Sequence, residues 1–254
     1  MTSAQICVWH VYPEPALLQQ RAAQGIARLA AEAISARGAF RVVLAGGNTP
    51  RAVYERLRGT KTAWQAWHIY FGDERCLPSG HAERNSTMAS QVWLDHVDIP
   101  ATQIHVIPAE LGAEEAARRY ASAIESVEMF DLVLLGLGQD GHTASLFPGQ
   151  NYGSECHQPA VLAVHQAPKP PADRVSLSAW RLGAASRVWF LVTGADKALA
   201  VRKWRGGEGI PAGAIKPAGG VDIWVDIAAH EPVGFEESGS ESLAGRARIL
   251  SLRA

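Results

Sequence analysis

The chain has 254 residues, of which 47% are hydrophobic and 19% charged, with a formal net charge of −1. That length holds a full core, as one α/β domain or two small ones. The near-zero charge argues against nucleic-acid and membrane-surface partners, and no apolar run reaches the ~20 residues of a membrane span.

Along the chain, strands and helices alternate from the start. Residues 6–11 read as a strand and 15–36 as an alanine-rich helix with apolar spacings of three and four. A short buried strand at 41–45 runs into Gly46-Gly47-Asn48-Thr49-Pro50. Pro50 suits the first turn of a helix that continues through Val53, Tyr54 and Leu57. A strand at 67–72 ends on Asp73-Glu74-Arg75, helix is expected over 85–97, an extended piece over 104–107, and helix again over 113–127. Phe130 to Leu135 is a buried strand, followed by strands at 160–164, 174–177 and 188–192, a helix over 195–205 and a last strand over 221–225. The segment 168–173, Pro-Lys-Pro-Pro-Ala-Asp, is a rigid surface turn. The basic cluster Arg202-Lys203-Trp204-Arg205 falls at a helix end, where cations complement the dipole. This order predicts an α/β fold: a mostly parallel sheet with helices on both faces. Residues 1–230 read as a single domain without repeat or linker, and 231–254 as a tail that is either loosely attached or adds a peripheral element at 248–252.

The segment after residue 135 says most about function. Its glycines, Gly136, Gly138 and Gly141, let the backbone turn tightly and approach a ligand, and Asp140 and His142 follow at the C-terminal end of the strand. In open α/β sheets that crevice is where ligands bind. A histidine there, with a free pKa near ~6.5, is suited to general-base work. Gly136-x-Gly138-x-x-Gly141 also matches the dinucleotide fingerprint. Pro148-Gly149 stops any long helix, however, and no strand ends on an acid near Glu155, so a nicotinamide or flavin site is excluded on context.

Three other strand ends carry candidates. Gly46, Gly47, Asn48 and Thr49 offer free N–H groups at a helix N-terminus, equally an anion site or a plain capped turn. Arg75 in the Asp73-Glu74-Arg75 triplet is either part of a solvated loop or an oxyanion-binding arginine held by neighbouring carboxylates. Lys197, after Gly194-Ala195-Asp196, opposes the helix dipole and is better placed facing an anion; Arg174 is open between the two roles. No Gly-x-Ser-x-Gly elbow and no zinc-ligand spacing occurs. Cys7, Cys76 and Cys156 form no disulfide framework, which points to a reducing cytoplasm, and Cys76 is read as a buried free thiol rather than a nucleophile.

The order Gly-Gly-Asn-Thr-Pro (46–50), Asp-Glu-Arg (73–75) with Asn85, Gly-x-Gly-x-Asp-Gly-His-Thr-Ala-Ser-Leu-Phe-Pro-Gly (136–149), Arg174 and Gly-x-x-Lys (194–197) resembles the 6-phosphogluconolactonases over roughly residues 5–230. The related glucosamine-6-phosphate deaminases share Asp-Gly-His but carry Tyr at the position of Arg75 and a glutamate that this chain lacks. The resemblance implies a Rossmann-like three-layer αβα sandwich with a smaller flanking part. It implies hydrolysis of a sugar-phosphate lactone by a monomer, without metal or organic cofactor. His142, Asp140 and Arg75 would then be catalytic, and Gly46, Gly47, Asn48, Thr49, Asp73, Arg75, Gly138, Arg174 and Lys197 would bind substrate and its phosphate. Two residues depart from the family: Asn48 where Ser is usual, and Arg84, where Ser is frequent, in a loop expected to touch substrate. The alternatives on this scaffold are an isomerase or deaminase, or a sugar-phosphate sensor. A sensor would need a DNA-binding segment, for which the early first strand leaves no room at the N-terminus.

Overall fold

The computed structural model of the chain describes residues 4–231. The tail, and with it the choice between a loose segment and an element at 248–252, lies outside the described residues.

Seven strands form one sheet, β1 (Cys7–Tyr12), β2 (Phe40–Leu44), β3 (Trp67–Phe71), β5 (Ile104–His105), β6 (Phe130–Leu135), β9 (Ala185–Val192) and β10 (Val221–Asp226). Their spatial order is β1-β10-β9-β6-β2-β3-β5, and every neighbouring pair is parallel. β6 sits at the centre with all six residues buried. A strand covered on both faces needs such a continuous apolar run. Its one acid, Asp131, accepts from the Arg37 guanidinium and from the Arg41 N–H at 2.7 Å. Helices α1 (Pro15–Arg37) and α2 (Asn48–Leu57) pack on each other and on this sheet.

Remaining strands build a second, smaller sheet, β4 (Asp73–Arg75), β8 (Arg174–Leu177) and β7 (Val161–Val164), antiparallel in the order β4-β8-β7. Helix α4 (Ala113–Ala123) packs on β7 and β8, and α3 (Asn85–Val92) packs on β4. This is the three-layer α/β sandwich with a smaller flanking part that the sequence implies. The triplet expected to end β3 as a loop is instead strand β4, because Asp73, Glu74 and Arg75 pair with Ser176, Val175 and Arg174. Helix α3 stops five residues short of the expected end. Trp93 leaves helical geometry (φ −149°, ψ −59°) and buries its ring against Tyr54, Trp64 and Trp67. Residues 195–197 form a 3₁₀ turn rather than the first turn of α6 (Ala198–Arg205). Two short helices, α5 (Ala179–Gly183) and α7 (Ile227–His230), are additions to the sequence reading.

The small sheet is clamped to α4 by one exposed histidine. The His165 ring contacts Asp173 at 2.8 Å and Glu114 at 3.0 Å. Hydrogen bonds to Glu114 first, and then to Asp173, raise its pKa above the ordinary histidine value. A raised folded-state pKa adds stability that is full below the unfolded value of ~6.5 and is lost as pH rises through the folded value. Wild type should therefore out-melt His165→Gln by most near about pH 5.5 and by nothing near about pH 9. A melting-temperature gap that stays constant with pH would refute the clamp.

Candidate active site

The side on which the chain adds its next strand to the main sheet switches between β2 and β6. From β2 the chain passes to β3 on one side, whereas β6 leads to β9 on the other. The crevice outside the carboxyl ends of these two neighbours is the switch point of an open α/β sheet. Three loops meet there, after β2, β6 and β9.

The loop after β6 carries the histidine. His142 Nδ1 lies 2.5 Å from Asp140 Oδ1, and the same oxygen accepts the His142 main-chain N–H at 3.1 Å. Burial pushes the Asp140 carboxyl up, but the hydrogen bonds from the His142 ring and main chain outweigh it and hold its pKa below the ordinary value. A carboxylate accepting at Nδ1 fixes the proton there and leaves Nε2 with its lone pair. Gly138 makes this pairing possible. Its N–H donates to the His142 carbonyl at 2.8 Å, and a Cβ on it would lie 2.0 Å from His142 Nδ1 and 2.6 Å from Asp140 Oδ1. The turn is held from the other end by Thr143 Oγ1, which donates to the Gly136 carbonyl at 2.9 Å. The ring of Phe147 stands 4.9 Å from that of His142.

After β2, Gly47 adopts φ +98° and α2 starts at Asn48 with no side-chain cap. The leading N–H groups of this ten-residue helix therefore remain for an anion. Thr49 Oγ1 contacts Thr193 Oγ1 at 2.7 Å, joining this loop to the end of β9. There Lys197 Nζ sits 3.1 Å from Asp196, and Gln139 of the histidine loop donates to the same carboxylate at 3.0 Å. The anion facing Lys197 in the structure is thus Asp196. Asp226, buried at the end of β10, fixes this loop by accepting the Gly194 N–H at 3.0 Å and the Ala229 N–H at 2.9 Å. An acid closing an apolar strand was the only sequence signal for it.

Two candidate arginines lie on the small sheet. Arg75 and Arg174 are cross-strand partners. Arg174 lies 5.6 Å over the Phe147 ring and donates to the carbonyls of Lys169, Pro170 and Pro171, so it also pins the 168–173 turn. Burial lowers its pKa. Arg75 is not held by its neighbouring carboxylates, as expected from the sequence; its guanidinium donates to the Glu83 carbonyl. Glu74 and Asp73 are occupied elsewhere. Glu74 is fully buried and binds the N-terminus of α3, and Asp73, expected at the substrate, accepts instead from Ser145 and Asn85. Arg84 turns inward as well, buried and donating to Glu110 at 2.8 Å and to the Ile107 carbonyl at 2.6 Å. Burial pushes the Cys76 thiol up to about 11, so it carries little thiolate and is no nucleophile at neutral pH. Among the described residues, no group of three or more His, Cys, Asp or Glu is arranged to hold a metal, and no helix is long and apolar enough to cross a membrane.

A parallel sheet with a His–Asp pair and an open helix N-terminus at its switch point defines an α/β enzyme that works on a small ligand. Comparison with known proteins makes this specific. Residues 13–224 match the family described as glucosamine-6-phosphate isomerases/6-phosphogluconolactonase, and the chain belongs to that family. A 6-phosphogluconolactonase of Synechocystis is 36% identical over 226 residues, 82% of this chain and 90% of that protein. The structure of the Thermotoga maritima 6-phosphogluconolactonase superimposes with a TM-score of 0.81 at 26% identity, covering 87% of this chain and all of the other. A rice protein described as a probable chloroplastic 6-phosphogluconolactonase is 37% identical, but the match spans only 62% of its length.

Proposed function

We propose that the chain hydrolyses 6-phospho-D-glucono-1,5-lactone to 6-phospho-D-gluconate, with His142 as general base. The observation that carries this reading is the 2.5 Å contact between His142 Nδ1 and Asp140 at the switch point, beside the open N-terminus of α2. A lactone is an activated ester, so no covalent nucleophile is needed. Nε2 takes a proton from water as its oxygen bonds to the lactone carbonyl carbon. The carbonyl oxygen becomes an oxyanion, stabilised by main-chain N–H groups of the glycine loop and by Arg75. The ring C–O bond then breaks, and the leaving ring oxygen takes the proton from the imidazolium. Asp140 holds the tautomer and stabilises the charged ring. Gly46, Gly47, Asn48 and Thr49, with Lys197, Arg174 and Arg75, would hold the 6-phosphate and so orient the carbonyl for attack. The reaction so written uses no metal ion or organic cofactor. It is expected to run in the cytoplasm as the work of a monomer, where Cys7, Cys76 and Cys156 stay reduced.

The test is hydrolysis of freshly made lactone, coupled to 6-phosphogluconate dehydrogenase. A rate well above the spontaneous one, without ammonia release from glucosamine 6-phosphate, is expected. A rate equal to that in buffer overturns the proposal. Gly138→Ala should lower kcat at least ~10-fold, because the new methyl displaces the His142 ring from Asp140. A kcat within about twofold of wild type would mean that the pair tolerates that displacement.

A further inference from the structure

A buried polar chain runs behind the crevice, between the histidine loop and the α2 loop, and its centre is Asp73. On one side Ser145 Oγ donates to Asp73 Oδ2 at 2.6 Å. Ser145 is fully buried and lies three residues after His142. Between them Ala144 holds φ +47°, a left-handed conformation that is unfavourable for an L-residue and persists only where its surroundings impose it. The Ser145–Asp73 bond is one such constraint, and a second is the Leu146 N–H, which donates to the Thr143 carbonyl at 2.9 Å. On the other side Asn85 Nδ2 donates to Asp73 Oδ1 at 3.1 Å and to the Asp73 carbonyl at 2.9 Å. Asn85 Oδ1 is thereby pressed against Gly46, where a Cβ would lie only 2.0 Å from it. All three side chains are at least nine-tenths buried.

We propose that Asp73 is a positioning residue. One carboxylate oxygen fixes the turn behind His142 through Ser145, and the other fixes the anion loop through Asn85 and Gly46, so that base and phosphate site keep one separation. This rests on His142 being the general base. A lactone whose phosphate is held in one loop and attacked from another reacts only if the two loops keep register, and about 1 Å of misplacement costs up to ~100-fold in rate.

Breaking either arm should cost turnover, and only the phosphate arm should also cost binding. Ser145→Ala releases only the histidine side: kcat is expected to fall about 10-fold at unchanged KM. The downfield Nδ1–H proton resonance of His142 should broaden or vanish in the same variant. Asn85→Ala releases the phosphate side: KM should rise about 10-fold, and kcat should fall several-fold with it, because a phosphate held in the released loop no longer keeps register with His142. Thermal melts establish that each variant is folded. If Ser145→Ala does not fold, Asn85→Ala decides alone, and an unchanged KM overturns the proposal. It is equally overturned if Ser145→Ala leaves kcat and the His142 resonance intact. His142→Ala, assayed beside them, separates the two readings. A dead His142→Ala with a normal Ser145→Ala ends this proposal alone, whereas an active His142→Ala ends the general-base assignment.

Discussion

His142→Ala is expected to lower kcat for lactone hydrolysis at least ~100-fold, the usual size of a lost general base. KM should change little, since the phosphate is held by other loops. What remains in the variant is the oxyanion donors and the oriented substrate, so turnover should still exceed the spontaneous rate. Asp140→Asn is the informative companion. The amide can offer Nδ2–H to the ring, which favours the tautomer with its proton on Nε2, and a ring so protonated cannot accept from water. That variant should lose much of the same rate while keeping the ring in place. Because the Asp140 pKa is held below its ordinary value, the carboxylate is ionised throughout the neutral range and the pair is preset for catalysis. Near-normal kcat in His142→Ala would remove the proposed mechanism; normal kcat in Asp140→Asn would remove only the role of the carboxylate.

The histidine loop was legible in the sequence because everything that makes it lies within a few residues. The apolar run of β6, the breaking glycines, Asp140 and His142 are consecutive, and their contacts are short-range. The parallel order was legible for a similar reason, since β/α alternation is a local pattern with one dominant solution. What could not be read depends on partners distant in the chain. Strand β4 is three charged or acid-flanked residues, which no periodicity marks; it exists because Arg174, Val175 and Ser176 come beside it. The same distance hid the burial of Glu74, Arg84 and Asp226, each of which looks solvent-facing until its partner is known. Arg84 shows the cost most clearly. Read as a departure in a ligand loop, it is in fact an internal cation between Glu74 and Glu110. Asp73 went the same way, from expected substrate contact to the centre of a buried chain.

The largest loss of stability is expected from Glu74→Ala. In β4, alternate side chains face opposite ways, so Glu74 points away from Asp73 and Arg75, at the N-terminus of α3. Its carboxylate accepts the Arg75 N–H at 2.9 Å, the Asn85 N–H at 2.7 Å, the Ser86 N–H at 2.9 Å and the Ser86 hydroxyl at 2.7 Å, with Arg84 Nε at 3.5 Å. One acid thus caps a helix, neutralises a buried arginine and ties β4 to α3. Removing one partner of a buried charge pair leaves the other uncompensated, at about 3–5 kcal/mol. For a chain of this length each kcal/mol moves the melting temperature by about 2–4 °C, so a drop of about 6–20 °C is expected. Arg84→Met should cost less, because Glu74 keeps its four hydrogen-bond donors and methionine refills the volume. A denaturant titration in which Glu74→Ala loses less than about 1 kcal/mol would show that water or a neighbour replaces the carboxylate. In that case β4, and with it the placement of Arg75 against Arg174, would have to be held by the β4–β8 pairing alone.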